Sequence, residues 1–222
     1  MSNVIRVLMV DDHALLRESL RDRLEAEADM TVVDTAGSAE EALECVSRGC
    51  PDVVLMDIDM PGQSCFDAAT KLKEICPDAA IVFLSAFFHD RYIESALAAQ
   101  ATGYMTKDES PANIVAGVRA AANDLACFSP KVQERLLIDG KGARLAQSGA
   151  ESGGARVSLL TTRELEVLRY LARGLSKKEV AALMSVSVKT VSRHTENLMD
   201  KLDIHDRVEL ARYAIREGLA EA

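Results

Sequence analysis

Over roughly its first 130 residues the chain alternates between two hydrophobic periods. Short apolar runs at Ile5–Val10, Thr31–Asp34, Val53–Met56, Ile81–Leu84 and Gly103–Met105 look like strands. Between them, Leu15–Ala26, Ala39–Cys45, Ala68–Ile75 and Tyr92–Ala99 place apolar residues at helical spacing. Ser110-Pro111 opens one more helix with an N-cap and a proline in its first turn. This alternation predicts a parallel sheet covered by helices on both faces. The last 60 or so residues show no strand pattern. There the capping boxes Thr161…Glu164, Ser176…Glu179 and Asp206…Glu209 mark helix starts, and Gly174 and Gly218 mark helix stops. A fourth helix begins after Ser187, so this part should be all helical.

The stretch between the two patterns, GKGARLAQSGAESGGARV at 140–157, holds five of the 12 glycines and predicts a flexible linker. A short helical pattern at Pro130–Asp139 precedes it, with Ser129 placed as N-cap. Charge divides at the same place. Residues 158–222 carry 11 Lys and Arg against 10 Asp and Glu, a net of +1, whereas residues 1–157 carry 15 against 25, a net of −10. Two halves with different jobs would explain that asymmetry. Aromatic residues are only 4% and Trp is absent, so the core must be aliphatic. No apolar run is long enough to span a bilayer, and MSNVIR lacks a signal peptide's apolar core, so no membrane association and a cytoplasmic location are expected. The five cysteines form no CxxC and have no histidine at zinc-ligand spacing, which predicts free, mostly buried thiols.

In an open α/β sheet, ligands bind beyond the carboxyl ends of the strands. Here the first strand ends in Asp11-Asp12, the third in Asp57 and the fourth in Ser85, while the fifth leads to Lys107. Carboxylates gathered in one crevice repel unless a cation is present, and oxygen ligands of this kind suit Mg²⁺. A metal, a lysine and a hydroxyl can stabilise a transferring phosphoryl group, and the central carboxylate can itself be the nucleophile. Taken singly, Asp12 is better read as a cap for the helix at Leu15, and Asp57 as the start of a turn. The joint placement at four strand ends is what carries the argument. No GxGxxG or GxxxxGK[ST] occurs, which disfavours nucleotide binding.

VLMVDDH, VVLMDIDMPG, FLSA and GYMTKD, in this order and spacing, resemble the motifs of response-regulator receiver domains. The resemblance implies a doubly wound, flavodoxin-like, five-stranded parallel sheet over residues 1–128, with helix and linker at 129–157. It implies that Asp57 accepts phosphate from a sensor histidine kinase. Mg²⁺ would be ligated by Asp12, Asp57 and the backbone carbonyl of Asp59, with Asp11 acting through water. Lys107 and Ser85 would contact the phosphoryl group, and Tyr104 matches the aromatic whose rotamer reports the switch. Three features depart from the family pattern: Cys65 stands where glycine usually follows MPG, Gln100-Ala101-Thr102 replaces a small acidic turn, and Ser185 replaces a turn glycine in the second half.

LLTTRELEVLRYLARGLSKKEVAALMSVSVKTVSRHTENLMDKL similarly resembles the four-helix DNA-binding domain of LuxR/NarL/FixJ-type regulators, over 158–222. A helical projection gathers Val188, Val191, Thr195, Leu198 and Leu202 on an inner face packed on Ser176–Met184. Lys189, Ser192, Arg193, Glu196 and Asp200 lie opposite, and Thr190, His194, Asn197 and Lys201 along one flank. A recognition helix wants base-reading side chains outward and phosphate contacts on its flanks. Without the motif an ordinary solvated face would be the better reading. The combined expectation is a phosphorylation-gated homodimer that binds promoter double-stranded DNA, meets RNA polymerase there and is no enzyme beyond its own phosphotransfer and slow dephosphorylation. Two competitors stay open: a regulator that needs no phosphate, and a haloacid-dehalogenase-like phosphatase suggested by the DxD at Asp57-Ile58-Asp59. In such phosphatases the nucleophile ends the first strand and the acidic pair comes late, the reverse of the order here.

Overall fold

The computed structural model describes residues 4–86, 89–139, 142–145 and 157–220. The chain forms two compact units that divide near residue 145. The first alternates as expected: β1 (Ile5–Val10), α1 (Ala14–Glu25), β2 (Met30–Ala36), α2 (Ala39–Arg48), β3 (Val53–Asp57), α3 (Cys65–Ile75), β4 (Ala80–Ser85), α4 (Asp90–Ala98), β5 (Gly103–Thr106) and α5 (Pro111–Ala121). The strands pair in parallel in the order β2-β1-β3-β4-β5. β3 and β4 are buried at every position, which is why they read as unbroken apolar runs rather than alternating ones. Val7, Met9, Leu55, Val82 and Leu84 point to one face and form a core with Leu20 and Leu24 of α1 and Ile114, Val115 and Val118 of α5. α2 and α3 touch each other, as do α1 and α5. The strand order reverses between β1 and β3, and this opens the crevice at their carboxyl ends.

Five features differ from the expectation. A sixth, two-residue strand, β6 (Cys127–Phe128), pairs in parallel with β5. The helix expected over Pro130–Asp139 stops after one turn, as α6 (Pro130–Gln133). β7 (Leu136–Asp139), in the segment expected to be helical, and β8 (Gly142–Leu145), in the expected linker, then form an antiparallel pair. The remaining linker positions, 140–141 and 146–156, lie outside the described residues. The hydroxyl of Ser129 makes no cap but accepts from Thr106 N at 2.9 Å, tying α6 to the end of β5. Not all thiols are free: Cys50 and Cys76 are joined, their Cα atoms 5.6 Å apart. Parallel packing brings the start of β3 beside the end of α3, a contact that linear spacing does not reveal. Cys45, Cys65 and Cys127 are free and buried as expected.

The second unit holds α7 (Thr162–Ala172), α8 (Lys177–Leu183), α9 (Val188–Leu202) and α10 (Arg207–Arg216). Thr161 and Ser176 make full capping boxes with Glu164 and Glu179, and Asp206 accepts from Val208 N and Glu209 N. α8 ends on Ser185 in the left-handed region at φ 53°, with Ser185 N bonded to Ala182 O and Val186 N to Ala181 O. Glycine normally fills such a helix end, because a Cβ is unfavourable there. α9 packs on both α7 and α8, burying Val191, Thr195, Leu198 and Leu202.

Close approach fixes one glycine in the sheet. A Cβ on Gly103 would lie 2.1 Å from Cys127 Sγ and 2.4 Å from its carbonyl oxygen. One on Gly117 would meet only the flexible end of Met105, with Sδ at 2.5 Å. Gly103→Ala should therefore cost about 3 kcal/mol, the top of the usual overpacking range, and Gly117→Ala clearly less. Urea unfolding of the two variants tests that order.

Candidate functional site

The site is assembled at the carboxyl ends of β1, β3, β4 and β5. Asp11 N donates to Ala36 O on β2, and Ile58 N to Leu84 O on β4, so Asp11 and Asp57 are held by the sheet itself. Lys107 N donates to Ser85 O at 2.7 Å, locking the fifth connection to the fourth strand. The Lys107 ammonium lies 2.9 Å from Asp11 Oδ2 as a hydrogen bond, and 2.8 Å from Asp57 Oδ2 as an ion pair without hydrogen-bond alignment. Asp57 and Ser85 are fully buried, and Asp11 nearly so. Asp57 Oδ1 accepts from Asp59 N at 3.0 Å.

Burial raises the Asp57 carboxyl to about 6, with the Lys107 charge opposing and the Asp11 charge adding to the rise. Lys107 is raised, since its two carboxylate partners outweigh the burial that would lower it. One ammonium thus serves two buried carboxylates, with Asp12 alongside. Ligand atoms of Asp11, Asp12, His13 and Asp57 all lie within 4.8 Å of one another. A divalent cation with oxygen ligands would offset the charge that Lys107 alone leaves, so the donor set fits Mg²⁺. Asp12 does not cap α1; the N-cap is His13, and its side chain makes no capping bond either. His13 is the member of the cluster that the strand-end reading did not single out, although its adjacency to Asp11-Asp12 was the available signal. Tyr104 lies buried on β5 opposite Phe83 of β4. Cys65 is buried at the start of α3, its thiol 3.6 Å from Ile58 O, so the side chain in place of glycine packs against the residue after Asp57.

In the second unit, Lys189, Arg193, Glu196 and Asn197 of α9 are exposed, while Thr190, Ser192, His194 and Lys201 are partly buried. Val191, Thr195, Leu198 and Leu202 form the buried face as expected, but Val188, placed on it too, is 43% exposed at the first position of α9.

Residues 7–119 match the response regulator receiver domain, and residues 158–214 match the luxR family of bacterial regulatory proteins. The chain belongs to the LuxR-family response regulators. It is 34% identical over 217 residues to the transcriptional regulatory protein YxjL of Bacillus subtilis, which is uncharacterized, covering 98% of each chain. It is 33% identical over 221 residues to the oxygen regulatory protein NreC of Staphylococcus carnosus, covering 98% of this chain and all of that one. In fold it is similar to RcsB of Salmonella enterica serovar Typhimurium, solved on promoter P1flhDC with the phosphomimetic BeF3⁻. There the TM-score is 0.69 at 21% identity, over 95% of this chain and 98% of that one. This response regulator is accordingly a two-component, DNA-binding transcription regulator, and the phosphatase reading falls away.

One residue assigned to DNA has a different partner in the regulator. Lys201, expected to face phosphate, donates to Glu164 Oε2 at 2.6 Å, and the same oxygen accepts from Thr161 N at 2.8 Å. Burial pushes the Glu164 carboxyl up, but the Lys201 and Thr161 bonds outweigh it and hold it low. Lys201 thus ties α9 to the start of α7. Burial also lowers His194, against the pull of Glu164 and aided by Arg193, Arg163 and Lys201, so its imidazole favours the neutral form.

Two outcomes follow from this geometry. Lys201→Ala leaves a buried carboxylate without its cation and should cost about 1.5–3 kcal/mol in thermal unfolding, an effect a lysine serving only DNA phosphate would not show. For Asp57 the folded pKa lies above the unfolded value, so its stabilising contribution is present at low pH and lost as pH rises through about 6. Asp57→Asn should therefore stabilise the cation-free protein by about 2–3 kcal/mol near neutral pH, and the gap should close towards pH 4. Denaturation curves across that range measure it.

Proposed function

We propose that Asp57 is the phosphoacceptor through which a sensor histidine kinase controls this regulator's binding to promoter DNA. The observation that carries this reading is the Lys107 ammonium lying between the buried carboxylates of Asp11 and Asp57. In the transfer, an Asp57 oxygen bonds to phosphorus as the kinase phosphohistidine N–P bond breaks, and the electron pair returns to the imidazole. Asp11, Asp12, Asp57 and the backbone carbonyl of Asp59 would hold Mg²⁺, which when bound neutralises charge on the phosphoryl oxygens. Lys107 supplies a fixed cation to the same oxygens and Ser85 a hydroxyl donor, with little reorganisation because the sheet already holds both. Placing phosphate on Asp57 takes the ammonium from a carboxylate pair to a phosphoryl group. That change in partners is a differential interaction able to shift a two-state receiver. Tyr104 on β5 would report the shift, and a homodimer would present two recognition helices to related half-sites.

On α9, Lys189 and Arg193 lie outward near the amino-terminal half and would read base edges, an arginine there pairing bidentately with guanine. Thr190, Ser192, Glu196 and Asn197 complete that surface, and His194 on the flank meets the backbone. A cytoplasmic location and contact with RNA polymerase at the promoter belong to the same reading; among the described residues no helix is long and apolar enough to cross a membrane.

Asp57→Asn tests the proposal. Wild type incubated with Mg²⁺ and a small phosphodonor should gain one hydroxylamine-labile phosphate and bind its DNA more tightly, and the variant should do neither. Labelling of the variant would place the nucleophile elsewhere, and equal DNA affinity with and without phosphate would favour a regulator that needs none. Arg193→Ala should relax specificity at one base position by about 1–3 kcal/mol, read from a panel of single-base variants.

A further inference from the structure

The receiver crevice contains a nitrogen donor that the carboxylate chemistry does not use. His13 Nδ1 lies 2.9 Å from Asp12 Oδ1 and 3.4 Å from Asp11 Oδ1. Its backbone is pinned, because His13 N donates to Asp11 Oδ1 at 2.7 Å. The residue is the N-cap of α1, but the imidazole makes no capping bond, and the side chain is 64% exposed. Neither helix formation nor core packing accounts for where the ring points.

We propose that His13 is a metal ligand of the phosphoacceptor site, which makes that site favour divalent cations that accept imidazole nitrogen over Mg²⁺. The inference rests on the phosphoacceptor reading of Asp57 and adds a donor to it. Geometry supports a shared coordination sphere. Around an octahedral ion with ligands at about 2.1 Å, neighbouring donor atoms lie about 3 Å apart and opposite ones about 4.2 Å. The donor atoms of Asp11, Asp12, His13 and Asp57 fall within 4.8 Å of one another, and the His13–Asp12 separation is that of neighbouring ligands. Mg²⁺ prefers oxygen and water, so it gains little from the ring. Mn²⁺ accepts nitrogen moderately, and Ni²⁺ accepts it strongly. The carboxylates would then hold any of these ions, with the imidazole discriminating among them.

The competing role for the same contacts is a protonated His13 acting as counter-ion to Asp11 and Asp12, with no part in metal binding. In the first role Nδ1 meets a metal ion, and in the second it only donates to the two carboxylates. The full-length protein and its His13→Ala variant separate them, because an exposed side chain without a capping bond can be removed with little risk to the fold.

Affinities for Mg²⁺, Mn²⁺ and Ni²⁺ are measured by equilibrium dialysis, together with pulsed EPR of bound Mn²⁺. Wild type should bind one Mn²⁺ per chain with a nitrogen hyperfine coupling that His13→Ala lacks. The substitution should weaken Ni²⁺ at this site by about tenfold or more, Mn²⁺ by a few-fold, and Mg²⁺ by less than about twofold. Asp12→Asn should weaken all three and identifies the site among the other histidines. Bound Mn²⁺ with no nitrogen coupling in wild type, or equal losses for all three ions in His13→Ala, would overturn the role of His13 and leave the phosphoacceptor reading intact. Failure of all three ions to bind in an Asp12-dependent manner would overturn both.

Discussion

Two carboxylates buried at the point where the strand order reverses cannot both be ionised cheaply, and the Lys107 ammonium is what holds them together. Its carbon chain comes from the far side of β4, so the ion pairs tie β1, β3 and β5 into one unit at the carboxyl ends of the strands. The arrangement is only partly balanced: one positive charge faces two buried negative ones and a third at the rim. Burial raises Asp57 by desolvating its charge, Lys107 opposes that rise, and the Asp11 charge adds to it. A receiver built this way is held short of charge neutrality, which is why its donor set suits a divalent cation.

Much of this was legible in the sequence, because parallel strands buried on both faces leave unbroken apolar runs whose ends can be read directly. Asp11, Asp12, Asp57, Ser85 and Lys107 fall at those ends in the structure. What was hidden is non-local or too short to be periodic. β6 has two residues and no pattern of its own; its mark is Gly103, whose missing side chain makes room for Cys127. The β7–β8 pair was obscured because Leu136, Leu137 and Ile138 fit helix and strand equally, and the glycines beyond suggested a linker, although Asp-Gly after an apolar run is itself a hairpin signal. The Cys50–Cys76 bond joins residues 26 apart, a distance set by the β3–α3 crossover. His13 sat in plain view but was passed over, since strand-end reasoning looks for oxygen.

The second unit shows where helical projection is sound and where it is not. The buried stripe Val191, Thr195, Leu198 and Leu202 of α9 was legible from period alone, whereas Val188, at the first turn of the same stripe, is exposed. For Lys201 projection gave a direction and no partner, and its ion-pair partner belongs to another helix. A capping box is usually counted as a local device for starting a helix. In α7 its acidic member also reaches across the domain, so that the start of α7 is tied to the last turn of α9. Ser185 makes the same point in the turn, where the family pattern asks for glycine and the chain accepts a left-handed serine instead.

The Cys50–Cys76 bond closes a ring through β3, Asp57 and the whole of α3. Oxidised and reduced receivers are thus two covalent topologies of one sequence. A cut anywhere in the loop between Asp57 and α3 would leave the oxidised protein in one piece and release two in the reduced one. Thiol state is therefore one of the variables that define which molecule has been purified.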